Sequence, residues 1–320
     1  MKALVFDEDL EFTSNYPIPK RTNDESLIKV VMAGICNTDR EIMKGYKNFH
    51  GILGHEYVGI VEDSDDKDLI GKRVVGEINI GCGNCEFCRH FTPKHCYNRR
   101  CLGISGKDGC FAEYITMPTS TLYVIPDDIS NEEALFTEPL AAAASAVDDA
   151  DFWYDDDQIL ILGDGRLAYL IYLSLKYNYD GNVKKYKEHM KTHVTVKGHS
   201  EKKLSMFEYA NTTMDIKYFN KYFQTVFEAT GSESGIDEAI KVTKPQGNII
   251  VKTTHEGKTT LDLNTIVVNE LSLKGSRCGN FQDALSILKT HPKLPKTKFF
   301  KLEDYKEAFE SKEFKVGFIP

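Results

Sequence analysis

A chain of 320 residues with a formal net charge of −8 is long enough for two hydrophobic cores and lacks the basic balance that phosphate backbones require, so no nucleic-acid partner is expected. Its hydrophobic share of 41% and charged share of 28% are those of an ordinary globular protein, and no apolar run reaches the ~20 residues of a membrane-spanning helix. The start, Met1-Lys2-Ala3-Leu4-Val5-Phe6, runs into charge too early for a secretory leader, which leads to the expectation of a cytoplasmic protein. Eight cysteines in such a chain read as thiols or metal ligands, not as a disulfide framework.

In chain order, Ala3-Leu4-Val5-Phe6 and Ser26-Leu27-Ile28-Lys29-Val30-Val31-Met32 are strand-like, and Pro17 and Pro19 break the segment between them. Gly34 turns the chain into Cys36-Asn37-Thr38-Asp39, with Thr38 or Asp39 expected near the N-terminus of a short helix. In Gly54-His55-Glu56-Tyr57-Val58-Gly59 an imidazole and a carboxylate adjoin inside an apolar run, an expensive burial without a purpose. A metal supplies one. Cys36, His55 and Glu56 together offer the donors zinc prefers, at bond lengths of roughly 2.0–2.3 Å. Glu138, in Thr137-Glu138-Pro139, can fill or share the remaining position. Alone, each is uninformative, since single cysteines and histidines are usually core residues. As a group they point to a catalytic zinc, with the Thr38 hydroxyl beside a metal-bound oxygen and Asp39 orienting the imidazole from behind.

The stretch from Gly34 to Gly59 resembles the zinc-dependent medium-chain dehydrogenase/reductase family, the alcohol dehydrogenase-like proteins. It is most similar to the branch with Cys-Asn-Thr-Asp and a Gly-Tyr-x-x-Phe-x-Gly-x-Leu-Gly-His-Glu run, here beginning at Gly45-Tyr46 and ending at His55-Glu56. The resemblance implies that Cys36 and His55 ligate zinc, with Glu56 or Glu138 as further ligand or close neighbour. Many family members carry a histidine three residues after the threonine to complete a proton relay; Glu41 stands there instead. Bulk water, Glu41 and His50 are thus the open choices for the final acceptor.

Cys82-Gly83-Asn84-Cys85-Glu86-Phe87-Cys88, followed by Cys96, is the most specific local motif. Two-residue gaps let thiolates converge on one ion, and four of them make a closed structural zinc site. An iron–sulfur cluster is the rival, but its ferredoxin-type run ends in a closely spaced fourth cysteine and proline, which this spacing lacks. Cys101, Cys110 and Cys278 fall outside both sets. Asp108-Gly109-Cys110-Phe111-Ala112-Glu113-Tyr114 again resembles the family, Leu122-Tyr123-Val124-Ile125 reads as a strand, and Ser130-Asn131-Glu132-Glu133 opens a helix as a capping box. The expected organisation is an α/β chain in three parts. A GroES-like β-rich catalytic domain covers residues 1–140, with the zinc lobe at about 82–96; a Rossmann doubly wound domain covers 141–280; a segment 281–320 returns to the first domain.

The second domain is announced by Gln158-Ile159-Leu160-Ile161-Leu162, an unbroken apolar strand feeding Gly163-Asp164-Gly165-Arg166-Leu167-Ala168. In such a Gly-x-Gly-x-x-Ala turn the glycines permit the bend and the approach of a pyrophosphate. The next strand, His193-Val194-Thr195-Val196-Lys197, ends at Gly198, where an acid would select NAD. Gly198 with His199, Ser200 and Lys203 nearby favours NADP over NAD. The gap from Gly163 to Gly198 is long, and its Tyr- and Lys-rich excess, residues 177–191, is expected as a solvated crossover helix or loop. Glu228-Ala229-Thr230-Gly231 resembles the family's cofactor edge, Lys252 is expected to bind the cofactor, and Thr253 and Thr254 are expected near the nicotinamide side. Ser276 and Arg277 are expected to touch cofactor or substrate, or merely to form a turn.

The resemblance implies hydride transfer between a nicotinamide cofactor and a small alcohol or polyol, or its ketone or aldehyde, in a homodimer or homotetramer. Two alternatives stand beside it: a zinc- and nucleotide-binding protein without turnover, and a zinc-free quinone- or enoyl-type reductase.

Overall fold

One long strand, Glu25–Gly34, organises the N-terminal part of the chain because three partners align on it in register. Glu56–Asp63, Tyr114–Pro118 and Lys315–Ile319 all run antiparallel to it. At its end Gly34 lies opposite Glu56 on one side and Gly317 on the other. This register brings the segment just before Cys36, the His55-Glu56 pair and the C-terminal strand to one corner of the sheet.

The computed structural model describes residues 1–150, 157–178, 183–254 and 259–320. They divide into two units, Met1–Glu138 with Ala284–Pro320, and Pro139–Asp283. The first unit is a seven-stranded sheet flanked by two small three-stranded ones. Its core is apolar and aromatic: Leu4, Ile28, Phe111 and Phe318 are fully buried, and the last two rings meet edge to face at 5.0 Å. The strands Asn79–Ile80, Arg100–Leu102 and Gly106–Lys107 form the small sheet next to the four-cysteine segment.

The second unit is a wholly parallel sheet of six strands in the order Asn211–Thr213, Val194–Lys197, Ile159–Leu162, Phe223–Glu228, Thr243–Val251, Ser272–Gly275. By chain rank this is 3-2-1-4-5-6, the doubly wound dinucleotide-binding order. The first strand is buried along its whole length because helices cover both faces, which is why it reads as an uninterrupted apolar run. Leu160, Leu162, Val226 and Ile249 pack there with Ile236, Ala239 and Ile240 of the helix Gly235–Val242.

The extra length after the first helix, Arg166–Asn178, is a second helix, Val183–His193, with residues 179–182 outside the described residues. His189 and Met190 are buried, so this helix packs on the unit where a solvated segment was expected. The helix Phe281–Leu288 and the strand Thr297–Lys301 were not expected; the latter pairs in parallel with Lys315–Ile319.

Candidate metal and cofactor sites

The helix Asn37–Ile42 begins directly after Cys36, whose backbone N–H donates to Asp39 Oδ2 at 2.8 Å. Asp39 therefore closes the first turn and, being fully buried, turns its other oxygen inward. Asp39 Oδ1 stands 3.2 Å from His55 Nδ1. Burial works against charging His55, but Asp39 and then Cys36 prevail and hold its pKa well above the ordinary imidazole value. The imidazole is thus held between a carboxylate on one side and the Cys36 sulfur on the other. Ligand atoms of Cys36, His55 and Glu56 all lie within 4.8 Å of one another, with His55 and Glu56 buried. The donor set and its spacing fit a zinc ion. Thr38 Oγ1 lies 3.7 Å from Cys36 Sγ, next to the residues that would hold such an ion.

Glu138, offered by the sequence as a possible ligand, is not a member of this group. It sits half-buried in the first turn of the helix Thr137–Asp148 and acts on the buried Cys110 thiol through its charge. Glu41 is held by Lys44 at 2.9 Å, and His50 pairs with Asp7 at 2.7 Å on the surface.

One residue of this site was not anticipated. Lys315, the first residue of the C-terminal strand, places its ammonium against Glu56 Oε2, with both side chains fully buried. Burial pulls Lys315 down to about 8, opposed by the negative charges of Cys36 and Asp39. The cue in the sequence was the same as for His55-Glu56: a charge inside an apolar run, Phe314-Lys315-Val316-Gly317-Phe318. Its partner lies 259 residues away, so no local pattern pairs them.

The sulfurs of Cys82, Cys85, Cys88 and Cys96 also lie within 4.8 Å of one another. The Cys82 N–H donates to Cys96 Sγ at 3.3 Å, and backbone amides of Asn84 and Cys85 lower the Cys82 pKa to about 6. Sulfurs facing one another and amides aimed at sulfur fit a thiolate-bound structural metal. Cys101 and Cys110 are buried and belong to neither group, although the Cys110 thiol donates to Glu56 O at 3.4 Å.

In the second unit the glycine-rich turn has the required form. Gly163 has φ +122°, and a Cβ there would lie 2.5 Å from Ala229 O, while the space beside Gly165 is open. Ala168 is buried where helix meets strand. This cradle fits a pyrophosphate at the start of the helix Arg166–Asn178, with Arg166 and Leu167 in its first turn. Gly198, His199, Ser200 and Lys203 lie at the end of the neighbouring strand, where Asp164 reaches across to them. Thr230 donates from both its N–H (3.0 Å) and its hydroxyl (2.6 Å) to Glu228 Oε1, and Thr253 Oγ1 donates to the same oxygen at 2.8 Å. Glu228, buried at the end of its strand, shapes the loop edge that Glu228-Ala229-Thr230-Gly231 marked in the sequence. Lys252, expected at the cofactor, directs its ammonium to the carbonyl oxygens of Ala142 and Arg277, at 2.8 and 2.9 Å.

A four-thiolate lobe, a Cys-His-Glu donor group and a doubly wound dinucleotide-binding sheet in one chain define a zinc-dependent nicotinamide oxidoreductase. Residues 22–127 match the alcohol dehydrogenase GroES-like domain and residues 186–290 the zinc-binding dehydrogenase domain. The chain belongs to the zinc-dependent medium-chain dehydrogenase/reductase family and is an alcohol dehydrogenase-like enzyme dependent on NAD or NADP. It is 28% identical to D-arabitol-phosphate dehydrogenase of Enterococcus avium, over 93% of this chain and 91% of that one. It is 27% identical to D-arabinitol dehydrogenase 1 of Uromyces fabae, over 97% and 93%. Among solved structures, acetophenone reductase of Geotrichum candidum in complex with NAD superposes with a TM-score of 0.82 at 22% identity, covering 100% of this chain and 97% of that one. A Sinorhizobium meliloti protein of the zinc-binding dehydrogenase kind, bound to NADP, gives 0.82 at 23%, covering 100% and 99%.

Proposed function

We propose that this enzyme oxidises a secondary hydroxyl of a polyol or polyol phosphate, or reduces the corresponding ketone, by hydride exchange with a nicotinamide dinucleotide. The observation that carries the reading is the grouping of Cys36, His55 and Glu56 donor atoms within 4.8 Å with Thr38 beside them. The arabitol and arabinitol dehydrogenases among its relatives support the substrate class. Zinc, when bound, supplies Lewis-acid polarisation of the substrate oxygen. Cys36 and His55 hold it, and Asp39 fixes the ring orientation of His55. Lys315 balances the buried charge of Glu56. Thr38 holds the alcohol proton at its Oγ1. Solvent is the proposed acceptor beyond Thr38, supported by the pairing of Glu41 with Lys44 and of His50 with Asp7.

The four-cysteine group holds a second, structural zinc. An NADP preference rests on Gly198, and the carboxylate of Asp164 beside it weighs against that preference. A homodimer is the proposed assembly. Its support is the edge strand Ser272–Gly275 and the adjoining helix Leu263–Val268, where Leu263, Val267 and Val268 are 65%, 73% and 80% exposed. The cytoplasmic reading rests on eight free thiols, several of them grouped as metal ligands. No described helix is long and apolar enough to cross a membrane.

The test is a set of alditols, alditol phosphates and simple secondary alcohols, followed at the nicotinamide absorbance with NAD and with NADP. Turnover of alditols or their phosphates above simple alcohols is expected. Zinc and dinucleotide bound with no turnover of any of them would favour a binding protein without dehydrogenase activity.

A further inference from the structure

We infer that Asp164 selects the cofactor, taking the adenosine ribose of NAD and opposing the 2′-phosphate of NADP. The inference rests on reading the second unit as a nicotinamide-dinucleotide site. An acid at the end of the second strand accepts from the ribose hydroxyls, whereas a small residue there, with cations nearby, leaves room for a phosphate. Gly198 looks like the second case in the sequence. In the structure its room is already filled.

A Cβ on Gly198 would lie 2.5 Å from Asp164 Cβ and 2.7 Å from Asp164 Oδ2. The glycine is therefore required by a carboxylate that enters from the first glycine-rich turn, 34 positions earlier in the chain (198 − 164). Asp164 Oδ2 accepts from the backbone N–H of His199 at 2.7 Å and of Ser200 at 2.9 Å. Lys203 Nζ stands 3.7 Å from Asp164 Oδ1. The Asp164 side chain is only 12% exposed, so its charge is partly sheltered from solvent. Lys197, the last residue of the strand, is engaged by Glu238 Oε2 at 3.1 Å.

Two amides and an ammonium that a 2′-phosphate would use are thus already turned toward an anion of the protein. A phosphate carrying roughly −1.5 to −2 charges brought to the same place meets a like charge at short range. A ribose diol meets an acceptor: Oδ2 is held by the two amides, and Oδ1 has Lys203 Nζ at 3.7 Å, beyond hydrogen-bond distance. The acid that selects NAD is present; it comes from the phosphate-binding turn and not from the strand end.

Isothermal titration of the zinc-loaded, full-length protein with NADH and with NADPH reads this directly. The expected result is NADH binding tighter by about tenfold or more, the scale of one like-charge contact. Asp164→Asn should keep an acceptor for the two amides while removing the charge, and should bring the two dissociation constants within about threefold, chiefly through tighter NADPH. Asp164→Ser, smaller and neutral, should move the ratio the same way, which separates lost charge from altered packing. Tighter NADPH in the unaltered protein, or an NADH preference that survives both substitutions, overturns the inference and leaves the dehydrogenase reading intact. Failure of both dinucleotides to bind overturns the inference and the dehydrogenase reading together.

Discussion

Replacing Lys315 by methionine should destabilise the first unit far more than a loss of surface charge would. Lys315 and Glu56 are both fully buried and in contact, so removing the ammonium takes from a buried carboxylate the cation it touches. Breaking a buried ion pair from one side costs about 3–5 kcal/mol. At roughly 2–4 °C per kcal/mol for a unit of this size, the zinc-free protein should melt about 6–20 °C lower. The double variant Glu56→Gln with Lys315→Met removes both charges and should recover most of that loss, since paired removal is often neutral. In zinc-loaded protein the loss should shrink, because the cation places positive charge next to Glu56. Urea unfolding of the four forms, followed by circular dichroism, gives the comparison. A loss below about 1 kcal/mol for Lys315→Met, or a double variant no more stable than the single one, would refute the reasoning.

Asp39→Asn should weaken catalytic zinc about 10–100-fold, because Asp39 orients His55 from 3.2 Å; competition with a chromogenic chelator measures it. Cys96→Ser should lower the zinc content by one ion per chain and expose the segment around Lys94 to trypsin, since three thiolates no longer close the site. Metal analysis and limited proteolysis report the two effects, and retention of both zincs would count against a four-thiolate lobe. A pH effect follows from Glu25: burial raises its pKa, but Lys107 at 2.7 Å and the Thr22 contacts lower it below the ordinary carboxylate value overall. Its stabilising contribution is present above the unfolded glutamate pKa of 4.5 and is lost as pH falls through the lowered folded value. Lys107→Met should therefore cost up to about 1 kcal/mol at neutral pH, and the difference from the parent should fade in acid.

How much could be read from the sequence depended on how far apart the cooperating residues lie. The strand Ile159–Leu162 and its glycine turn, the capping box at Ser130 and the four-cysteine group are encoded within a few residues, where apolar runs, cap chemistry and ligand spacing act directly. The extension, expected as a solvated crossover helix or loop, is the helix Val183–His193, and the lysines around His189 and Met190 hide from the sequence that these two are buried. The two carbonyl oxygens that Lys252 meets, of Ala142 and Arg277, lie far from it in the chain, so the sequence around a lysine beside a strand end does not show them.

By itself the sequence determined the two kinds of chemistry this protein carries, sulfur and imidazole for a metal and a glycine turn for a pyrophosphate, because donor type and short-range spacing are properties of neighbouring residues. Only the tertiary structure decided that Lys315 neutralises Glu56, that Glu138 stands outside the donor group, and that Asp164 fills the space Gly198 leaves. Those pairings are set by strand register and by parallel strands laid side by side, which join residues tens to hundreds of positions apart, and burial then fixes how strongly each charge is felt.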